Sequence, residues 1–278
     1  MTTFQKIIKI FAIFLGVFII VSIINVTLLT LGIISDVDLI KNTDNNKEFN
    51  EIYIDINNIE IDIDSADITI KKGETLSVEG ENLSSNFKSE KKNNKLKIEE
   101  EKKFWKTNTA SKITIYIPKT ENINELSIDA GAGTINITDL SINELKISQG
   151  AGTLTIENVT STKTNIDGGA GEMIVKESVL NNLDLDSGVG SVDIEAKVTG
   201  TSEIDCGVGE INLKLMGTKE DYTLLLQKGI GSIKVENNDQ KNDTTYGAGS
   251  NKIKIDGGVG EIKVDFIKSN IIDDMLIN

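Results

Sequence analysis

The chain of 278 residues contains no histidine and no arginine, so all 29 of its basic residues are lysines. Histidine titrates near neutral pH and is the commonest ligand of transition metals, so its absence lowers the expectation of acid–base or metal chemistry. Without arginine the chain lacks the planar donor that contacts phosphate or guanine through two hydrogen bonds. With 43 acidic residues and a net charge of −14, the sequence predicts no nucleic acid partner.

Cysteine and proline occur once each. Cys206 cannot form an internal disulfide and has no histidine to activate it as a nucleophile, which favours a role as a small spacer. Pro118 directly follows an alternating IYI segment and predicts the end of a strand. We therefore expect a protein that is not an enzyme, with no catalytic residue, no cofactor and no metal ligand to assign.

One long apolar run is present, residues 7–34, and its only charge is Lys9. The 25 uncharged residues that follow Lys9 exceed the ~18–20 needed to cross a bilayer as a helix. The apolar region of a cleaved signal peptide is shorter, at ~7–15 residues. The sequence predicts that residues 7–34 form a transmembrane helix and signal anchor in the lipid bilayer, although cleavage remains the alternative.

The charges beside this run predict its orientation. Lys6 and Lys9 precede the 25 uncharged residues, and two aspartates, Asp36 and Asp38, follow them, which is typical of a cytoplasmic N-terminus. We expect residues 1–6 to be cytoplasmic, residues 35–50 to be a linker and residues 51–278 to be an extracytoplasmic domain. The predicted location is the cell membrane, in a single pass.

A glycine motif of the form G-x-G recurs through the second half of the chain. Its first glycines stand at 131, 150, 169, 188, 207, 229 and 258, and the first four intervals are all 19 residues. Alternating apolar residues lie on both sides of each motif, as in half-buried strands. Nineteen residues suit one coil of a parallel β-helix, so the fold class expected is all-β, a single-stack solenoid.

The glycines are expected at tight corners, where the chain needs φ values that residues with a Cβ rarely adopt. The residue between them is always apolar, and we expect it to point inward and fill the corner. Residues 52–70 alternate in the same way and should begin the sheet. Residues 237–252 are expected to form a loop excursion, and residues 265–278 a cap of helical spacing over the end of the solenoid.

An aspartate precedes most of the glycine motifs by two positions. Stacked carboxylates repel one another unless they are solvated or bridged by cations, which raises the possibility of calcium. The aspartates stand before the glycines, however, whereas the calcium-binding nonapeptide roll has them after, so hydrogen bonding at the turn is favoured. The shared positions are Asp129, Asp167, Asp186, Asp205 and Asp256.

Two enzyme readings fit less well. The dinucleotide fingerprint needs a third glycine and a following helix, and every copy of the motif lacks both. Enzymes of the β-helix class that cleave polysaccharides need inserted loops to wall a cleft, and the regular coils have none.

The order of features resembles the bacterial putative-adhesin family of β-strand-repeat domains of unknown function. The features are IYIPKTENINELSIDAGAGTINITDL, repeated L-x-I-x-x-G-[AV]-G, then GSIKV, a polar excursion and KIKIDGGVGEIKVDF. That family is similar to the toastrack domains of envelope-stress systems. The resemblance implies an exported β-solenoid and supplies no catalytic residues.

The function expected is that of a membrane-anchored binding module that contacts an envelope component or a partner membrane protein in an envelope-stress or signalling role. The alternative is a cell-surface adhesin. A linker of 16 residues spans at most ~55 Å, which favours work close to the membrane.

Overall fold

A computed structural model describes residues 47–101, 110–119 and 122–268. All of them belong to one of two units of the chain, Asp44–Asn278. The predicted transmembrane segment 7–34 lies outside the described residues. None of the described helices is long and apolar enough to span a membrane.

Thirteen strands form one continuous sheet, and the single short helix described is a 3-10 turn at Lys219–Asp221. The strands are β1 Lys47–Ile52, β2 Asn58–Gly73, β3 Ser77–Leu83, β4 Lys88–Lys92, β5 Lys95–Glu100, β6 Ser111–Pro118, β7 Ile123–Asn181, β8 Leu183–Thr199, β9 Thr201–Met216, β10 Tyr222–Val235, β11 Asn238–Asp239, β12 Thr244–Gly247 and β13 Asn251–Ile267.

Long parallel strands build the main body of the sheet, and the long strand β7 spans three successive glycine motifs. Gly171 pairs with Gly190, and Gly190 pairs with Gly209, so equivalent residues 19 positions apart are neighbours. The alternating apolar residues before and after each motif are buried and form one core. The predicted all-β solenoid and its coil length are confirmed.

The last two coils do not stack in chain order. Strand β13 lies between β9 and β10, so Val259 is beside Val208 on one side and beside Ile230 on the other. The predicted single-stack solenoid implied that each coil lies on the preceding one, and this is wrong for the final pair. The excursion between β10 and β13 carries the chain back, which lets the last strand pair on both of its edges.

Antiparallel layers close the N-terminal end. Strands β5 and β6 pair in parallel with the two halves of β2, β4 pairs antiparallel with β5, and β3 pairs antiparallel with β6. Strand β1 pairs antiparallel with β3 and is the outermost strand. It begins at Lys47, so residues 47–50, which we assigned to the linker, belong to the sheet.

The polar excursion covers the C-terminal end. Strands β11 and β12 pair antiparallel with β10, the last coil of the stack. Tyr246 of β12 stacks on Phe266 with ring centroids 6.2 Å apart. Phe266 itself belongs to β13 and therefore not to a helical cap, whereas residues 269–278 lie outside the described residues.

Candidate interaction surface

The two glycines of each motif are required for different reasons. The second glycine has a positive φ in all seven motifs, +135° at Gly152 for example. The first glycine does not, but a Cβ at Gly150 would lie only 2.5 Å from the carbonyl oxygen of Gly131 in the next coil. The predicted need for an unusual φ is therefore confirmed for the second glycine and wrong for the first, which is fixed by close approach between coils.

The residue between the glycines points to solvent, which corrects the expectation that it fills the corner. Val189 and Ile230 are each 52% exposed, and Val208 and Val259 are 41% and 44% exposed. The side chain at this position points outward because the positive φ of the following glycine interrupts the alternation of inward and outward side chains along the strand. These residues form a continuous exposed file, the corner ridge, which in spatial order is Ala132, Ala151, Ala170, Val189, Val208, Val259 and Ile230.

The inner side of the corner is filled by the residue before the first glycine. Ala130, Ser187 and Cys206 are buried at this position. Gln149 is also buried there, and its side-chain amide donates a hydrogen bond of 2.9 Å to the carbonyl of Gly133. Burial raises the pKa of the Cys206 thiol, which agrees with a spacer role. This inner column was missed because its members differ in polarity.

The predicted aspartate positions do lie side by side. Asp167 pairs with Asp186, Asp186 with Asp205, and Asp205 with Asp256. Asp62 of β2 extends the file next to Asp129, and the periodic motif gave no sign of it. We call these six residues the aspartate file.

The file is electrostatically costly. Burial raises the pKa of the Asp205 carboxyl, Glu203 and the neighbouring aspartates raise it further, and Lys254 opposes them. Burial and nearby carboxylates raise the pKa of Asp186 in the same way. The Oδ1 atom of Asp205 accepts no hydrogen bond from any described residue. Burial and the neighbouring carboxylates therefore favour the protonated form at Asp186 and Asp205.

Ion pairs flank the other side of the corner ridge. Lys263 contacts Glu210 at 2.7 Å and Glu261 at 3.0 Å, and Lys234 contacts Glu261 at 2.7 Å. The two lysines and the Ser232 hydroxyl lower the pKa of Glu261 to about 2. The ridge thus lies between a free acidic file and a balanced ladder of charges.

Within the described part of the chain, no group of three or more cysteine, aspartate or glutamate residues could hold a metal ion. The surface grooves are shallow and follow the outer faces of the coils. The one beside the aspartate file is lined by residues such as Ser127, Lys146 and Asn165. What the arrangement offers is a long, rigid, apolar ridge with an acidic border, suited to contact with another macromolecule.

Three solved structures match most of this chain, with different degrees of structural similarity. A crystal structure of a putative adhesin from Bacteroides fragilis matches 78% of this chain and 97% of that chain, at 19% identity and a TM-score of 0.52. A putative lipid binding protein from Parabacteroides distasonis matches over 82% and 98%, at 17% identity and a TM-score of 0.40. A putative cell adhesion protein from Clostridium sporogenes matches over 80% and 100%, at 16% identity and a TM-score of 0.34.

At 19% identity, the likeness to the Bacteroides fragilis protein concerns the fold alone. A search of curated proteins found no match. The family model of the Toastrack domain, DUF4097, matches residues 56–265, which is well over half of the chain. The chain therefore belongs to the Toastrack DUF4097 family.

Proposed function

We propose that this protein is a membrane-anchored, extracytoplasmic binding module that acts by contact and not by catalysis. Residues 7–34 would hold it in the membrane, and the Toastrack domain would bind a partner membrane protein or envelope component in an envelope-stress response. The anchor would keep the domain close to the membrane, because only twelve residues separate residue 34 from the first strand at Lys47. Twelve residues reach at most ~43 Å when fully extended.

The observation that carries the proposal is the corner ridge. Apolar side chains are exposed at the same position of consecutive coils, and in Val189, Val208, Val259 and Ile230 they are large. Contiguous exposed apolar surface bordered by polar residues is typical of sites for protein partners. The coils on which it stands are tied together by parallel pairing along their length, so the ridge needs little ordering when it binds.

The test is photo-crosslinking in intact cells that produce the full chain. A photoreactive amino acid at Val208 or Val189 should capture a discrete partner, because both side chains face solvent on the ridge. The matched control is the same amino acid at Glu157, an exposed position on another face of the coil. Capture of a membrane protein from the ridge positions and not from Glu157 is the expected result.

Three outcomes would contradict the proposal. Equal capture from Glu157 and Val208 would mean that the ridge is not the contact surface. Capture of cytoplasmic proteins would mean that the domain is not exported. Capture of molecules belonging to another cell would replace the envelope-stress role with adhesion.

A further inference from the structure

A second exposed apolar site lies at the N-terminal end of the solenoid, far along the stack from the large residues of the ridge. Ile52, the last residue of β1, is 63% exposed, and Ile54 is 68% exposed. Tyr53 between them is buried, and its hydroxyl lies 2.7 Å from the Ser89 hydroxyl and 3.0 Å from the Glu51 carboxylate. Anchoring of Tyr53 in the domain holds its two neighbours out in solvent, so their exposure is built into the fold.

Lysines of the neighbouring hairpin lie beside these isoleucines, whereas Glu51 and Asp55 flank them in the chain. Residues 88–100, which form the β4–β5 hairpin, contain five lysines and three glutamates. The ammonium group of Lys91 donates a hydrogen bond of 2.6 Å to the carbonyl of Ile54, which puts the hairpin directly beside it. The side-chain amide of Asn94 donates to the carbonyl of Asp55 at 3.0 Å and holds the hairpin turn in the same place.

The charge of this hairpin is partly free. Lys95 and Lys97 form ion pairs with Glu60, whereas Lys88 and Lys92 form none with the residues that the structure describes. Lys92 stands opposite Lys95 across the hairpin, so two ammonium groups lie at its tip. We define the tip patch as Ile52, Ile54, Lys91 and Lys92.

We propose that the tip patch docks on the anionic lipid headgroups of the membrane in which the chain is anchored. This inference rests on the proposed function, since it requires the anchor. Lysines beside exposed aliphatic side chains fit a bilayer surface, where the ammonium groups meet lipid phosphates and the apolar groups enter the boundary with the acyl chains. Docking would hold the domain in a fixed orientation at the membrane surface.

Two features of the chain favour the tip patch over the corner ridge as the lipid-binding surface. The patch lies at the N-terminal end of the solenoid, beside the last residue of β1, and that strand starts only twelve residues after the apolar run. The ridge borders the aspartate file, which an anionic surface would repel. Each lysine near an anionic membrane surface strengthens attachment roughly fivefold.

The experiment uses the full chain in lipid nanodiscs. An environment-sensitive fluorophore is attached at Ile54→Cys in a Cys206→Ser background, because serine already fills the equivalent corner position at Ser187. In discs that contain phosphatidylglycerol, its emission should shift to the blue and its quenching by acrylamide should slow. In discs of phosphatidylcholine alone, it should behave as in water.

A double variant tests the charge. Lys91→Gln with Lys92→Gln should lower the ratio of docked to undocked protein about 25-fold in phosphatidylglycerol discs, at about fivefold for each lysine. The matched control is the same fluorophore at Val208→Cys on the ridge, which should remain in water in both discs. The positions that carry a fluorophore or lose a lysine are all exposed. The background change is at the buried Cys206, where serine is the residue that stands at the equivalent Ser187, so folding is retained.

The outcomes separate this inference from the proposed function. A chain that incorporates into discs but keeps the Ile54 fluorophore in water overturns docking and leaves the anchor intact. Equal blue shifts in both kinds of disc overturn the role of anionic headgroups. A chain that does not incorporate into discs at all overturns the anchor, and the docking with it.

Discussion

Each corner of the solenoid requires two glycines, and each glycine is required for a different physical reason. Gly150 must lack a side chain because the neighbouring coil passes too close, whereas Gly152 must also adopt a φ of +135°. The alanine between them, Ala151, is exposed and is subject to neither constraint. Neighbouring positions in one motif should therefore differ greatly in their tolerance of substitution.

Gly152→Ala is expected to lower the free energy of unfolding by about 2–3 kcal/mol or more, because a residue with a Cβ is strained at positive φ and would also overlap the carbonyl of Gly133. Ala151→Ser is the matched control and should change it by less than about 0.5 kcal/mol, since serine already stands at this position in the first coil as Ser65. Thermal or urea unfolding followed by circular dichroism measures both. A tolerated Gly152→Ala would contradict the corner geometry.

The aspartate file gives a prediction with a defined sign. Because the folded-state pKa of Asp205 is raised, the folded protein takes up a proton before the unfolded chain does as pH falls. The carboxylate therefore destabilises the fold at neutral pH, and that cost is relieved as pH falls through the raised pKa toward the ordinary value near 4.

Asp205→Asn should stabilise the protein at pH 7 by about 0.2–1 kcal/mol, the size of a cross-strand pair, and should reduce the gain in stability on mild acidification. Unfolding measured at pH 7 and pH 5 checks both effects. Asp239→Asn, in the exposed excursion, is the control and should leave stability within about 0.5 kcal/mol. If Asp205→Asn lowered stability at pH 7, the carboxylate would have a stabilising partner that this account lacks.

At the scale of elements, the most consequential feature is the position of β13 between β9 and β10. Every coil presents the same hydrogen-bonding edge to its neighbour. Parallel pairing alone therefore does not determine which strand lies next to β9 in the sheet. The connection between β10 and β13 distinguishes the two strands, because its strands β11 and β12 pair with β10 and occupy the outer edge of that strand. An end strand covered in this way is protected from pairing with other chains.

Engineered disulfides can report the strand order. Glu203 of β9 pairs with Lys254 of β13, which in turn pairs with Leu225 of β10. In a Cys206→Ser background, cysteines at 203 and 254 should form a disulfide, because adjacent strands bring Cα atoms within the ~4.4–6.8 Å that the bond requires.

Cysteines at 203 and 225 should not react, because two strand spacings separate them by about 9–10 Å. Electrophoresis without reductant distinguishes the two pairs. Efficient bonding between 203 and 225 would mean that β10 lies directly beside β9, as in the order of the chain, and that β13 does not lie between them.

For the whole molecule, the sequence predicted the repeat but not the order in which the last two coils stack. The 19-residue interval and the alternating strands were sufficient for the all-β solenoid, and equal spacing put the aspartates in register. Asp62 could have been found from the alternation of residues 52–70, although no glycine marks its coil. Resemblance to a known family agreed with the family model that matches residues 56–265.

Other features were not accessible from pattern alone. An apolar residue is normally assigned to the core, so the exposure of Val208 required the backbone path through the corner. The interchange of the last two coils depends on pairing between distant segments, and the intervals of 22 and 29 residues only indicated that something changes there. The antiparallel layers at the N-terminal end lack the glycine motif and so had no periodic signal.

The central claim, an exported solenoid whose corner ridge faces the surroundings, can be tested by cysteine labelling in intact cells with a maleimide that does not cross membranes. The native Cys206 is 3% exposed, whereas Val208, two residues away, is 41% exposed. We expect rapid labelling of full-length Val208→Cys and labelling of the unaltered chain only after denaturation. Labelling of Val208→Cys only after cell lysis, or of native Cys206 at the same rate, would contradict it.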